Sequence, residues 1–190
     1  LRTGRFPGGA AFIVSFLTIT NTSFISNTVD SAGAGNAYGG GLYTNNGLNG
    51  SNLTFTNNQV KCVGCPVTEG GGLYIYRDLS TGDSTVELST FDGNKGWSGG
   101  GISSHTSVSL HLDRSVFRNH TGGYGGGVSA YQLFGDHLLF ENNSVVNTGG
   151  GISMSFGTLD NSRFINNTSQ NTTSPDAGGG AVFVSNTLTA

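Results

Sequence analysis

The sequence predicts an all-β fold, a right-handed parallel β-helix of about 6–7 coils that occupies residues 1–190. Three observations predict it: glycine clusters recur along the chain, an apolar alternation follows each cluster, and a phenylalanine closes each unit. The unit is clearest at 99–120, which reads GGGISSHTSVSLHLDRSVFRNH. We expect one domain that belongs to a longer chain.

The glycine clusters mark the start of each predicted coil. Glycine supplies 33 of the 190 residues, whereas ordinary usage is about 7%. We expect glycine at these corners because it adopts positive φ freely and lets neighbouring coils approach closely. Aligned on the last glycine, the clusters end at Gly9, Gly41, Gly72, Gly101, Gly127, Gly151 and Gly180.

A strand is predicted directly after each cluster, because apolar residues alternate there with a period of two. The first strand residue is apolar in every copy under this alignment: Ala10, Leu42, Leu73, Ile102, Val128, Ile152 and Ala181. The following residue is predicted to face outward: Ala11, Tyr43, Tyr74, Ser103, Ser129, Ser153 and Val182. The next position returns to the interior and begins with Phe12 and ends with Phe183.

Two further columns of residues are predicted in the second half of each unit. Stacked coils place one phenylalanine above another in the interior: Phe24, Phe55, Phe91, Phe117, Phe140 and Phe164. Three residues later comes an amide ladder at a turn, where side chains bond from coil to coil: Asn27, Asn58, Asn94, Asn143 and Asn167, with His120 in the fourth place. Stacked coils cover one another at a spacing of about 4.8 Å.

The alternation of two short motifs resembles a known family. One motif is Gly-Gly followed by an aliphatic residue, as at 100–102 and 150–152, and the other is Phe-x-x-Asn, as at 24–27 and 164–167. Together they resemble the repeats of the chlamydial polymorphic outer-membrane proteins and, more broadly, the pectate-lyase-type β-helix superfamily. The resemblance implies a parallel β-helix displayed on a cell surface and used in adhesion. His120 departs from the asparagine of the repeat.

Composition argues against several classes of partner. The net charge is −3, so there is no electrostatic reason to expect nucleic acid or an anionic membrane as a partner. No apolar run approaches the roughly 20 residues of a membrane-spanning helix, and we expect no membrane insertion in this segment. No spacing of histidines suggests a metal, and we expect no cofactor.

One column of carboxylates is the strongest candidate for chemistry. It lies four residues before the phenylalanines and comprises Glu87, Asp113, Asp136 and Asp160. One interpretation is a stripe that binds a cation or a sugar; the other is that aspartate favours turns, with Arg114, His137 and Arg163 offsetting the repulsion. The outward tyrosines, Tyr43, Tyr74 and Tyr76, could likewise stack on sugars or be ordinary strand residues.

Two modifications are predicted from local patterns. Cys62 and Cys65 favour a local disulfide, since a metal site would need further ligands and a redox motif a strand-to-helix context. Sequons for N-glycosylation offer candidate acceptors at Asn21, Asn49, Asn52, Asn119, Asn142, Asn166 and Asn171. Asn167 also begins a sequon but is expected to face inward. Either these sites are glycosylated in a secreted protein, or an Asn/Ser/Thr-rich β-helix collects sequons passively.

These observations favour a non-enzymatic extracellular module, structural or adhesive, in a cell-surface protein or filament. We expect other protein segments or subunits at the open β-helix ends, and glycans or a surface receptor as further partners. One alternative is a carbohydrate-binding or polysaccharide-degrading β-helix. Another is the passenger adhesin of a bacterial autotransporter, which would carry no glycan.

Overall fold

The computed structural model describes residues 6–32, 35–64, 67–76, 83–170 and 178–189. Within these ranges the chain forms β-strands and no helix. The strands pair in parallel with their counterparts in neighbouring coils and stack as a β-solenoid of about six turns. The predicted all-β parallel architecture is confirmed. None of the described segments is a helix long and apolar enough to cross a membrane.

The strands are short in most coils and longer in the last three. In chain order they are β1 (Phe6–Pro7), β2 (Ala11–Ile13), β3 (Leu17–Thr20), β4 (Ser23–Ile25), β5 (Thr28–Ala32), β6 (Ala37–Tyr38), β7 (Leu42–Thr44), β8 (Leu48–Ser51), β9 (Thr54–Thr56), β10 (Gln59–Val63), β11 (Thr68–Glu69), β12 (Leu73–Ile75), β13 (Ser84–Glu87), β14 (Thr90–Asp92), β15 (Ile102–Ser104), β16 (Ser109–Asp113), β17 (Val116–Arg118), β18 (Thr121–Tyr124), β19 (Val128–Asp136), β20 (Leu139–Glu141), β21 (Ser144–Thr148), β22 (Ile152–Asp160), β23 (Arg163–Ile165), β24 (Thr168–Ser169) and β25 (Val182–Thr189).

Three walls surround the core. The front sheet consists of β2, β7, β12, β15 and the first halves of β19, β22 and β25. The acidic sheet consists of β3, β8, β13, β16 and the second halves of those long strands, which join the two walls. The phenylalanine sheet consists of β4, β9, β14, β17, β20 and β23. Further short strands, among them β6 and β11, run just before the glycine clusters and pair with one another in parallel.

The glycine clusters have the two roles that the sequence suggests. Gly39 has a φ of +62°, in the left-handed region that favours glycine. A Cβ added to Gly40 would lie 2.2 Å from the carbonyl oxygen of Gly71 in the next coil. The first glycine of the cluster therefore turns the chain, and the second allows the coils to stack.

The register of the first coil differs from the prediction. Gly8 has a φ of +70° and so occupies the first, left-handed place of the cluster. Ala10 then takes the third place, and Ala11 pairs with Leu42. Alignment on the last glycine was wrong here, because the left-handed residue sets the register rather than the third residue. Phe12 consequently lies in the outward column and is 48% exposed.

The last coil is shifted in the same way. Gly179 has a φ of +59° and takes the left-handed place, so Ala181 occupies the third position. Val182, rather than Ala181, pairs with Ile152. Phe183, predicted to face inward, therefore stands in register with the outward serine of the preceding coil.

The interior of the phenylalanine sheet is a continuous stack of rings. Adjacent rings have centroids 4.7–5.0 Å apart and planes within 4–10° of each other. The four rings of the inner coils, from Phe55 to Phe140, are fully buried. The rings stack because their strands pair in exact register, with Phe91 opposite both Phe55 and Phe117.

The asparagine ladder lies at the turn after this stack. Asn94 is typical: its Nδ2 donates to the carbonyl oxygen of Phe55, and its Oδ1 accepts from the backbone N–H and Nδ2 of Asn58. His120 continues the ladder by another route, because its Nδ1 accepts from the backbone N–H of Asn94 at 3.0 Å. Its own N–H donates to Oδ1 of Asn143.

In two coils a glycine replaces an aliphatic core residue, and a leucine replaces the small residue three positions later. Where the other coils carry an aliphatic residue at the end of the acidic sheet, two coils carry Gly50 and Gly135. Three residues later those same coils carry Leu53 and Leu138, whereas the others carry serine or threonine. A Cβ on either glycine would lie 2.7 Å from Cδ1 of the following leucine. Leu53 thus fills the space beside Gly50. The space beside Gly135 is filled by Leu138 together with Leu159 of the next coil.

Candidate ligand-binding groove

The predicted acidic column is brought together as one ladder. Glu87 pairs in register with Asp113, Asp113 with Asp136, and Asp136 with Asp160. These side chains border a cavity of about 300 Å³ on the outer face of the acidic sheet. Beside them the His111 ring stacks on Phe134, with centroids 4.7 Å apart.

Two carboxylates of this column, Asp113 and Asp136, have charged or imidazole counter-groups. Nε of Arg114 lies 2.7 Å from Oδ2 of Asp113, and Nδ1 of His137 lies 2.9 Å from Oδ1 of Asp136. A hydrogen bond donated by Asn161, reinforced by His137, lowers the pKa of Asp136 below its usual value. Such a group is a poor proton donor at neutral pH.

Three of these groups also lie close enough to share a cation. Ligand atoms of Asp113, Asp136 and His137 all lie within 4.8 Å of one another. Oxygen and imidazole donors of this kind suit divalent metals. The predicted third cation of the column, Arg163, lies instead in β23 of the phenylalanine sheet.

A larger concavity lies on the outer face of the front sheet, and the sequence analysis did not identify it. It measures about 380 Å³, and we call it the groove. Its floor is the part of the outward column of the front sheet that runs in register from Tyr74 through Ser103, Ser129 and Ser153 to Phe183. Tyr43 and Phe12 continue the column beyond Tyr74, outside the groove. Three serines therefore make a trough between aromatic residues at both ends.

The aromatic block at the lower end decides between the two interpretations of Tyr43 and Tyr74. Tyr43 and Tyr74 are each only 3% exposed, because Tyr38 of strand β6 packs over them. The Tyr38 and Tyr74 centroids lie 4.5 Å apart. These two outward tyrosines thus form a small cluster on the sheet rather than a free stacking surface. Tyr76 lies beside the groove, edge to face with His105.

Glu69 is the carboxylate of the groove. It lies on the short strand β11, in register with Tyr38 on one side and Ser98 on the other. Tyr74 and Ser103 both donate hydrogen bonds to it. Burial raises the pKa of Glu69 despite these donors, because desolvation disfavours the charged form. Burial and the neighbouring Glu69 likewise raise the pKa of Tyr74.

The upper part of the groove is lined by hydroxyl groups and rings. Oγ of Ser98 donates to Oγ of Ser129 at 2.8 Å. Tyr131 is 41% exposed at the side of the groove, and its ring meets Phe156 edge to face. Among the described residues that line the groove, Glu69 is the single carboxylate, and there is neither lysine nor arginine.

A signal for this groove was present in the sequence. The outward column changes from tyrosine to serine between Tyr74 and Ser103. The corrected register of the end coils was needed to see the aromatic residue above the serines. Glu69 could not be identified from the sequence, because it lies on strand β11, outside the residue columns that the glycine and phenylalanine repeat defines.

The candidate glycosylation sites fall mainly at exposed turns. Five of the sequon asparagines have positive φ, between 51° and 59°, and are exposed: Asn21, Asn52, Asn119, Asn142 and Asn166. Asn49 is exposed on strand β8, and Asn171 lies outside the described residues. Asn167 is half-buried in the amide ladder, where its Nδ2 donates to the carbonyl oxygen of Phe140.

The cysteine motif lies at the end of strand β10. Cys62 is half-buried and pairs in register with Ser31 of β5. Cys65 lies outside the described residues, and the local disulfide therefore stays a prediction.

Comparison with known proteins identifies no relative: no family model, curated protein or solved structure matches the chain. The parallel β-solenoid is consistent with the β-helix superfamily. The finer likeness to the chlamydial repeats rests on the sequence motifs alone.

Proposed function

We propose that the chain is a non-enzymatic extracellular β-helix module that serves as a structural or adhesive part of a cell-surface protein. The observation that carries the proposal is the groove, a concave surface built on rigid strands and lined by hydroxyls, aromatic rings and one carboxylate. Sites of this composition recognise ligands by shape and hydrogen bonds. Glycoside hydrolysis would instead use a pair of carboxyl groups.

The exposed sequon turns support the extracellular part of the proposal. These sequon asparagines lie on the surface, so a glycan there would not disturb the core. Asn119 and Asn142 are both exposed at such turns. N-glycosylation of these residues would place the protein in the secretory pathway of a eukaryote.

Adhesion is tested with the full 190-residue chain, purified and coupled to fluorescent beads. We expect the beads to bind the surfaces of epithelial cells and to be displaced by the free chain in a saturable way. Beads coupled to the urea-unfolded chain serve as the control. Binding equal to that control would contradict an adhesive function.

A carbohydrate-active β-helix is the second candidate, and the acidic column favours it. Four carboxylates in register along a cavity of about 300 Å³ provide acids on one face. Release of reducing ends from an acidic polysaccharide, lost in the Asp136→Asn variant, would establish this function and displace the first. The passenger of a bacterial autotransporter is a further candidate, and the Gly-Gly and Phe-x-x-Asn motifs favour it.

A further inference from the structure

We propose that the groove on the front sheet binds a short, uncharged oligosaccharide, which lies across the floor serines Ser103, Ser129 and Ser153 between the aromatic residues Tyr74 and Phe183. The inference rests on the proposed adhesive function and names the class of ligand that this surface would recognise. It concerns the groove and not the acidic column on the neighbouring sheet.

The length of the trough selects an oligosaccharide over a single sugar. Tyr74 and Phe183 stand at matching positions on strands that are separated by four strand spacings. At about 4.8 Å per spacing the two rings bracket roughly 19 Å. The cavity of about 380 Å³ between them is of the size that small ligands occupy.

The floor selects a ligand rich in hydroxyl groups. Serine hydroxyls can both donate and accept hydrogen bonds, and sugar hydroxyls do the same. Oγ of Ser98 and Oγ of Ser129 already share one such bond at 2.8 Å, which fixes the orientation of part of the floor. Tyr131 adds an exposed ring at the side, apolar on its face and polar at its tip.

The charges of the groove argue against an ionised ligand. The described lining residues include neither lysine nor arginine that could bind an anionic sugar. The carboxyl group of Glu69 is half-buried and takes its hydrogen bonds from Tyr74 and Ser103, which leaves it a weak partner for a cation. A neutral ligand costs least in this environment, because no unpaired charge is buried.

An extended peptide fits the groove less well. Peptides that bind sheets usually pair with an exposed strand edge. Strand β15 below the groove already pairs with β12 on one side and β19 on the other. The face of the sheet therefore offers side chains rather than backbone groups.

Two variants separate the groove from the rest of the molecule. Ser129→Tyr would fill the middle of the trough, and the same column already holds tyrosine at Tyr43 and Tyr74, so the fold can accept it. The matched control is Thr158→Tyr, which adds the same ring on β22 at a position that pairs with Phe134, on the acidic sheet. Thermal unfolding checks that both variants keep the wild-type structure.

The experiment uses the full 190-residue chain on an array of neutral, uronic-acid and sulfated oligosaccharides, followed by calorimetric titration with the best neutral one. We expect neutral oligosaccharides to bind in preference to acidic ones. Affinity should fall at least tenfold in Ser129→Tyr and stay within twofold in Thr158→Tyr. A preference for acidic sugars, unchanged binding by Ser129→Tyr, or no binding to any sugar would each overturn the inference.

Failure of this inference is distinguishable from failure of the proposed function. If the wild-type and Ser129→Tyr beads adhere equally well to cells, the module is adhesive but the groove is not its sugar site. If the wild-type chain binds neutral oligosaccharides but no cells, the groove inference stands and the adhesive function is wrong.

Discussion

The phenylalanine sheet and the front sheet are built from the same coils, yet their columns of side chains behave differently. In the phenylalanine sheet one ring recurs at every level, with centroids 4.7–5.0 Å apart. In the front sheet the outward column changes from Tyr74 to Ser103 and back to an aromatic residue at Phe183. A uniform column makes its contacts with itself. A column that changes from coil to coil leaves side chains available for contacts with another molecule.

The largest effect is expected from breaking the uniform column. Phe91 is fully buried between two parallel rings, and Phe91→Ala should lower the free energy of unfolding by about 4 kcal/mol because it leaves a cavity. Urea denaturation measures the change. Ile25→Ala, on the outer face of the same sheet and 59% exposed, is the control and should cost less than about 1 kcal/mol. Equal losses in both variants would mean that the ring stack adds no special stability.

The histidine in the amide ladder, His120, should make the stability of the protein sensitive to acid. Burial lowers the pKa of His120 from an ordinary 6.5 to about 4. The unfolded chain binds the proton more readily, so the contribution to stability is complete above pH 6.5 and is lost as the pH falls through about 4. The loss amounts to about 3 kcal/mol.

The His120→Asn variant restores the residue that the other rungs carry and should remove this dependence. Urea midpoints measured between pH 7 and pH 3.5 compare the two proteins. A wild-type midpoint that changes with pH no more than that of the variant would show that His120 does not govern the acid response.

The carboxyl group of Glu69 in the groove should make the stability of the protein depend on pH in the opposite sense. Burial raises the pKa of Glu69 above its ordinary 4.5, so the folded protein holds this proton more tightly than the unfolded chain does. The stabilisation is therefore complete below pH 4.5 and is lost as the pH rises through the folded value. Glu69→Gln should lose less stability than the wild type on going from pH 4.5 to pH 8. Parallel stability curves for the two proteins would contradict this sign.

The smallest effect concerns an exposed turn that departs from its column. Leu88 has a φ of +50° and is 49% exposed. Three equivalent turns carry asparagine (Asn21, Asn52 and Asn161), and two carry Arg114 and His137. Leu88→Asn should raise the free energy of unfolding by about 0.5–1 kcal/mol, because asparagine tolerates the left-handed region better. The protein is expressed in bacteria, since the change creates a sequon. A loss of stability would show that the Leu88 side chain makes contacts worth more than the backbone strain.

The uniform columns are the part of the molecule that the sequence predicts best. A phenylalanine such as Phe117 recurs at a fixed offset and stacks on the equivalent phenylalanine of the next coil, so the sequence pattern directly predicts the contact. The groove could not be predicted in this way. It brings together Glu69 of β11 and Ser129 of β19, which belong to different coils, and only the folded register places both beside one cavity. The position of Phe12 could not be predicted from the glycines alone, because the residue with left-handed φ, here Gly8, sets the register and the number of glycines does not.

The exchange of volume between Gly50 and Leu53, and between Gly135 and Leu138, has a consequence for how such a chain can change in length. The filling side chains come from the same coil or, for Leu159 beside Gly135, from the adjacent coil, so a duplicated or deleted coil changes packing only with its immediate neighbours. Repeat stability depends on each repeat and its nearest neighbours. Whole coils, rather than single residues, are therefore the units in which this protein can be lengthened or shortened during evolution or by engineering.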